Sequence, residues 1–327
     1  MTGRLDVVTL GEAMVRLSPP HHQRLEQATS LDVVIGGAEL SVAVGVARLG
    51  LRSSWVTKLP RNPLGRRIVN QAREQGVDVS RVVWTDEGRA GLYFLESGAA
   101  PRPSSVLYDR KGSAASTMAP GEVDWRFLKG VRVLHTTGIT PALSESCRET
   151  TVEAIRAAKR AGCRVCFDVN YRSKLWSPKE AEAALTPIVK MADVLIASDA
   201  AVIWGVEGEP EDVLRELKKR FGVPVVAMTV REDVGVLRTR STSLAIAEKR
   251  YSGSKSYDIE VVDRLGSGDS FAAGLIYGYL LGDLQKALDY GDAMAAYKAT
   301  VPGDVNYATK EEIDRLVASG ENLRIQR

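Results

Sequence analysis

The chain has 327 residues, of which 44% are hydrophobic and 26% charged, a balance that excludes the disordered and fibrous classes and allows a sizeable core. A net charge of +3, spread along the sequence without basic blocks, excludes the footprint of a nucleic-acid or anionic-membrane binder and leaves room for a small anionic ligand. No apolar run approaches the ~20 residues of a membrane span, and MTGRLDVVTLGEAM reads as a short strand without a signal-peptide cleavage region, so the cytoplasm is the expected compartment.

In chain order, DVVTLG (6–11) reads as a strand, residues 38–49 as a helix, SSWVTKL (53–59) as a strand and residues 64–75 as a helix. From residue 131 the alternation becomes regular. VRVLHTTG (131–138), CRVCFDVN (163–170), ADVLIAS (192–198) and VPVVAMTV (223–230) are strand-like, and they are separated by helical stretches at 144–162, 178–191 and 209–222. Strands that alternate with helices predict right-handed crossovers and a mostly parallel sheet covered on both faces, in one α/β domain over 1–327.

Four short strand-like segments break this plan: AMVRLSP (13–19), LDVVIGG (31–37), GLYFLES (91–97) and SSVLYDR (104–110). They predict a small antiparallel sheet inserted between elements of the main layer. Such a sheet must pack on the main domain, on a ligand or on a second subunit, so a homo-oligomer formed through it is expected. TVREDVG (229–235) reads either as a hairpin or as a second phosphate-side loop.

Cys147, Cys163 and Cys166 are too few for a disulfide scaffold, and CRVC runs into a strand instead of opening a helix, so all three are expected as small buried side chains. His21, His22 and His135 supply no third neighbour for a metal site, and no metal ligands are assigned.

Two glycine-bearing stretches remain. In IGGAELSVAVGVARLG (35–50), Gly36-Gly37 precedes an amphipathic helix, where glycine serves either a tight turn or a backbone lying close to a ligand. In DRLGSGDSFAAG (263–274), Gly266 and Gly268 bracket a turn that feeds an apolar helix. Free amides at a helix N-terminus attract anions. A dinucleotide fingerprint fails because Phe271 stands at its third glycine, and a Walker loop fails for want of lysine. Asp269 is then either a plain helix cap or a carboxylate set beside phosphate-binding amides to accept a hydroxyl proton during phosphoryl transfer to an alcohol.

DRLGSGDSFAAG resembles the D-T-x-G-A-G-D-x-F-x-x-G signature of the ribokinase (PfkB) family of carbohydrate kinases, and IGGAELSVAVGVARLG resembles its N-terminal G-G-x-x-x-N-x-A signature. The resemblance covers essentially the whole chain. It implies a ribokinase-like three-layer α/β sandwich with a mostly parallel central sheet and a small β-sheet lid made by the four extra segments. GEAMVRLSP, GLYFLE, YDRKGSAAS, DVNYRSKLW and VPGDVN further resemble kinases of 2-keto-3-deoxygluconate. The implied activity is ATP-dependent phosphorylation of the terminal hydroxyl of a keto-deoxy sugar acid, with Mg2+ and with a monovalent cation as a further candidate.

The resemblance implies Asp269 as base, Gly266, Ser267 and Gly268 as the anion hole, and Gly37, Tyr93, Tyr108, Arg110 and Arg172 as sugar-acid contacts. Ser198, Arg231 and Asp292 fall on the nucleotide side. Three departures from the signatures stand out: Ser41 replaces the usual Asn, Arg264 the usual Thr, and Ser198-Asp199-Ala200-Ala201 lacks the Glu of the family's N-x-x-E element. The alternatives are a kinase for a neutral sugar or nucleoside, and a non-catalytic sugar sensor.

Overall fold

The computed structural model describes residues 4–235 and 237–319. In chain order its elements begin with strands β1 (Val7–Leu10), β2 (Met14–Ser18) and β3 (Asp32–Gly36), helix α1 (Ala38–Arg48), β4 (Ser53–Pro60), α2 (Pro63–Glu74), β5 (Val82–Thr85), β6 (Gly91–Glu96) and β7 (Ser105–Asp109). The second half adds β8 (Val133–Thr137), α3 (Ile139–Ala142), α4 (Glu145–Arg160), β9 (Arg164–Asp168), α5 (Pro178–Val189), β10 (Val194–Ile196), α6 (Ala200–Trp204) and α7 (Pro210–Phe221). The chain closes with β11 (Val225–Gly235), β12 (Arg238–Ile246), β13 (Arg250–Ser252), β14 (Tyr257–Glu260), α8 (Ser267–Leu280), α9 (Leu284–Ala299) and α10 (Lys310–Ser319).

The large sheet runs β13-β12-β11-β10-β9-β8-β1-β4-β5, with β14 also paired to β12. Every pair from β11 to β5 is parallel, and the pairs of β12 with β11, β13 and β14 are antiparallel. Neighbouring residues on each parallel strand enter different cores. Val8, Leu134, Phe167, Leu195 and Val226 join a cluster on the α4, α5 and α7 side, whereas Val7, Val133, Cys166, Val194 and Val225 join one on the α1, α8 and α9 side. This explains why the strands read as continuous apolar runs: both faces are covered by helices. Local signals set the helix starts, as in the capping box of Ser177 and Glu180 with Pro178 at the first position of α5.

The small sheet runs β3-β2-β6-β7. It corrects the expectation of an antiparallel sheet, because β2 and β6 pair in parallel while β2–β3 and β6–β7 are antiparallel. The long excursion through α1, β4, α2 and β5 between β3 and β6 lets β6 re-enter in the same direction as β2. Strand β5 carries no clear apolar alternation and the sequence reading missed it. TVREDVG proves to be a hairpin strand: β11 continues through Gly235 and pairs with β12, with an irregularity between Asp233 and Gly235. All three cysteines are free and buried, as expected.

Candidate active site

The site lies where the C-terminal ends of the parallel strands meet the N-terminus of α8, the side on which open α/β sheets collect ligands. Gly266 has φ 82°, a left-handed conformation that favours glycine, and a side chain there would collide with the Asp304 carbonyl. The turn is therefore pressed against the 301–304 loop, and α8 starts at Ser267 with its first amides free of intrahelical acceptors. Asp269 occupies that first turn and stays half-buried. Burial, and next the charge of Asp168, push its carboxyl well above the usual carboxylate range, opposed by Arg172. Gly268 and Ser267 complete the turn, and the buried Ser267 hydroxyl has no partner among the described residues.

Asp168 ends β9, and the chain then turns through Asn170, whose φ of 39° is one that Asn tolerates. The Asn170 amide donates to Asp168 Oδ1 at 3.1 Å. Burial, with Asp199 adding to it, raises Asp168 to about 7 against the pull of Arg172. Asp199 stands just before α6. A buried carboxylate whose proton affinity is raised in part by a neighbouring acid suits a divalent cation that would relieve the repulsion. No group of three metal-ligating side chains exists among the described residues, so such a cation would need phosphate oxygens and water for its remaining ligands.

A cavity of about 780 Å³ lies between the small sheet and the 171–175 segment, lined among others by Tyr108, Arg110, Ser116, Tyr171, Arg172 and Lys174. Tyr108, Arg110 and Arg172 thus come together as expected. Arg110 is buried and ion-paired through Nε and Nη2 to Glu12, which also accepts from Ser113 Oγ. Its guanidinium sits 5.7 Å from the Tyr108 ring centre. Glu12 escaped the sequence reading, although a charged residue inside the apolar GEAMVRLSP run is the signal that would have found it.

Tyr93 departs from the expected substrate contact. Its ring is buried 5.9 Å from that of Tyr108, and its hydroxyl donates to Asp304 Oδ2, because β6 is an inner strand of the small sheet whose inward face packs on the 301–304 loop. Gly37 likewise serves packing: a Cβ there would lie 2.5 Å from the Glu12 carbonyl and 2.8 Å from the Ala13 Cα. Gly36 makes room for the Tyr93 hydroxyl and the Asp304 carboxylate.

Behind the turn lies a buried ionic cluster that sequence reasoning missed. Arg16 Nη1 is 2.6 Å from Asp263 Oδ2 and 2.8 Å from Asp304 Oδ1. Asp263 accepts from the Leu265 amide at 3.1 Å and the Gly303 amide at 3.0 Å, which gives this residue a clear task in shaping the turn. Arg264, by contrast, is exposed and donates to the Gly235 carbonyl at 3.3 Å. Ser41, at the departure from the family's Asn, donates to the Asp304 carbonyl at 3.3 Å.

On the other flank, the exposed Ser198, two residues past β10, has its Oγ 3.3 Å from Thr229 Oγ1 in the middle of β11, and Arg231 is two residues further along β11 on the same face. Asp292 is not with them. It is buried in α9 with Oδ2 accepting from Ser243 Oγ at 2.8 Å, and burial lifts its carboxyl to about 7. A side chain on Gly253 would strike it, so the edge hairpin covers the carboxylate.

The profile described as pfkB family carbohydrate kinase matches residues 4–311. The chain is 39% identical to a 2-dehydro-3-deoxygalactonokinase of Haloferax volcanii over 97% of its length and 98% of the relative's. It is 32% identical to a 2-dehydro-3-deoxygluconokinase of Bacillus subtilis over 95% and 94% of the two chains. The crystal structure of a 2-dehydro-3-deoxygluconokinase from Thermotoga maritima superposes with a TM-score of 0.93 at 38% identity, covering 97% of this chain and 99% of that one.

Proposed function

The chain belongs to the PfkB family of carbohydrate kinases, and on that premise we propose that it transfers the γ-phosphoryl group of ATP to the terminal hydroxyl of a keto-deoxy sugar acid, 2-keto-3-deoxygluconate or its galacto epimer. The observation that carries this reading is the pair of guanidinium groups, Arg110 and Arg172, lining one cavity, with the charge of Arg172 acting on Asp269. Planar donors of this kind suit a substrate carboxylate, and a neutral sugar has no use for two of them. Relatives named for both epimers favour the keto-deoxy acid class without choosing within it.

In this reading Arg172 and Arg110 orient the sugar acid, with Tyr108 against its carbon skeleton. The raised Asp269 carboxylate accepts the hydroxyl proton as the new O–P bond forms, and the amides of Gly266, Ser267 and Gly268 take the charge that develops on the phosphoryl oxygens. Burial beside Asp168 makes Asp269 a stronger base than a free carboxylate. Ser198 and Arg231 flank the triphosphate. Asp168 and Asp199 would hold a Mg2+ ion carried in with ATP, which screens the phosphate charge during transfer. We read the chain as one domain working in the cytoplasm, with the small sheet as a lid. Val33 and Leu107 are 48% and 59% exposed on that sheet, which suits a homodimer formed there.

The test is a coupled assay of ATP consumption against both epimers of the acid and against fructose, ribose and a nucleoside. The expected result is kcat/KM for one of the acids well above that for every neutral acceptor. Equal or better turnover of a neutral sugar would overturn the substrate class.

A further inference from the structure

Among the described residues, Lys298 is the one lysine in the group of largest fully buried side chains, with 0% of its surface accessible. It sits in the last turn of α9, where a lysine that merely complements the helix end would keep its ammonium in water. Instead Nζ donates to the Val301 carbonyl at 3.0 Å and to the Asp263 carbonyl at 3.2 Å. Both acceptors are backbone oxygens, from two segments far apart in sequence, and the carboxylate of Asp263 is engaged with Arg16 and the Gly303 amide.

Those two segments are the walls of the GSGD turn. Asp263 leads into Gly266, and Val301 leads into Asp304, whose carbonyl lies against Gly266. The amides of Val262 and Asp263 meanwhile bond the Ala299 carbonyl at 2.8 and 3.1 Å, so the lysine closes a clamp that helix α9 begins. An ammonium lost from water is costly unless nearby charge and dipoles replace its hydration. Burial lowers the proton affinity of Lys298, and the carboxylates of Asp263 and Asp304 offset part of that cost.

We propose that Lys298 is a positioning residue for phosphoryl transfer, a tethered cation that binds the Asp263 and Val301 carbonyls and fixes the spacing of the two segments bracketing the anion-binding turn. This rests on the reading of Gly266 to Gly268 as the anion hole and goes beyond it. A covalently held ammonium also does the work of a free monovalent cation at this point, so the enzyme needs none there.

The experiment measures kcat and KM of the full-length protein, of Lys298→Ala and of Lys298→Met, with tetramethylammonium, ammonium or K+ as the sole monovalent cation at fixed ionic strength, alongside melting curves. Lys298→Ala opens a space for a small cation and Lys298→Met keeps the volume without the charge. In tetramethylammonium both variants are expected to lose kcat about tenfold or more with KM for the sugar changed less than about threefold. Ammonium or K+ restores Lys298→Ala and leaves Lys298→Met unchanged. A folded Lys298→Ala with kcat within about twofold of the parent, or a loss that neither ion repairs, overturns the proposal. Should both variants fail to fold, the parent enzyme decides: full kcat in tetramethylammonium supports the tethered cation, and a requirement for K+ overturns it. Asp269→Asn assayed in parallel separates the two readings, since its retained turnover would defeat the base assignment while leaving the cation response of Lys298→Ala intact.

Discussion

Arg16 Nη1 lies 2.6 Å from Asp263 Oδ2, so a residue of the small sheet is ion-paired to the carboxylate that opens the GSGD turn. Both side chains are buried. Removing the cation leaves Asp263 and Asp304 facing each other without water. Arg16→Met should destabilise the fold by about 3–5 kcal/mol, read from denaturant unfolding. A loss below about 1 kcal/mol would mean that solvent reaches the cluster.

Asp269→Asn keeps the size and one acceptor of the side chain and removes its capacity to take a proton. Turnover should fall by about 10²–10⁴, while calorimetric affinity for ATP and sugar acid stays within about tenfold. Near-full activity would reduce Asp269 to a helix cap.

Arg172→Ala is the cleaner probe of the substrate carboxylate, because Arg110→Ala also strands the buried Glu12. Loss of a charge-assisted bond of about 1.5–3 kcal/mol should raise KM for the sugar acid about 10–100-fold, with KM for ATP little changed. An equal rise in KM for a neutral sugar would argue against carboxylate recognition.

Gly266→Ala combines a positive φ with a collision against the Asp304 carbonyl. The backbone must move to admit the methyl group. Activity should drop more than thermal stability does, since the displaced amides are those proposed to bind the phosphoryl group. Comparing kcat with Tm checks this, and unchanged kcat would exclude the turn from the site.

Asp292 supplies a pH test. Its carboxyl titrates at about 7 in the folded protein because it is buried, and near 3.9 in the unfolded chain. The folded state holds the proton more tightly, so the stability linked to this group is full in acid and is lost as pH rises from about 4 through about 7. Asp292→Asn removes that dependence. Relative to the parent, the variant should gain about 1–3 kcal/mol between pH 5 and pH 8, read as several degrees in the difference of Tm values. A constant difference would show that water reaches the carboxylate.

The parallel sheet, its covering helices and the GSGD turn were legible in the sequence because their signals are local. Apolar runs alternating with amphipathic stretches, Gly266 and Asp269 three residues apart, and Ser177 before Pro178 each act within a turn or two of chain. The place of Arg172 just past a strand end was legible in the same way. Only the tertiary structure decided that β2 and β6 run parallel, that Tyr93 bonds Asp304 instead of facing the cavity, and that Asp292 is sealed behind the edge hairpin. It alone brought Arg16, Asp263, Lys298 and Asp304 into one buried cluster. The partnerships of Arg16 with Asp263 and Asp304, and of Lys298 with the Asp263 carbonyl, join groups separated by tens to hundreds of residues, and a sequence read for periodicity and caps carries no information about which distant ammonium or carboxylate will share a dehydrated space.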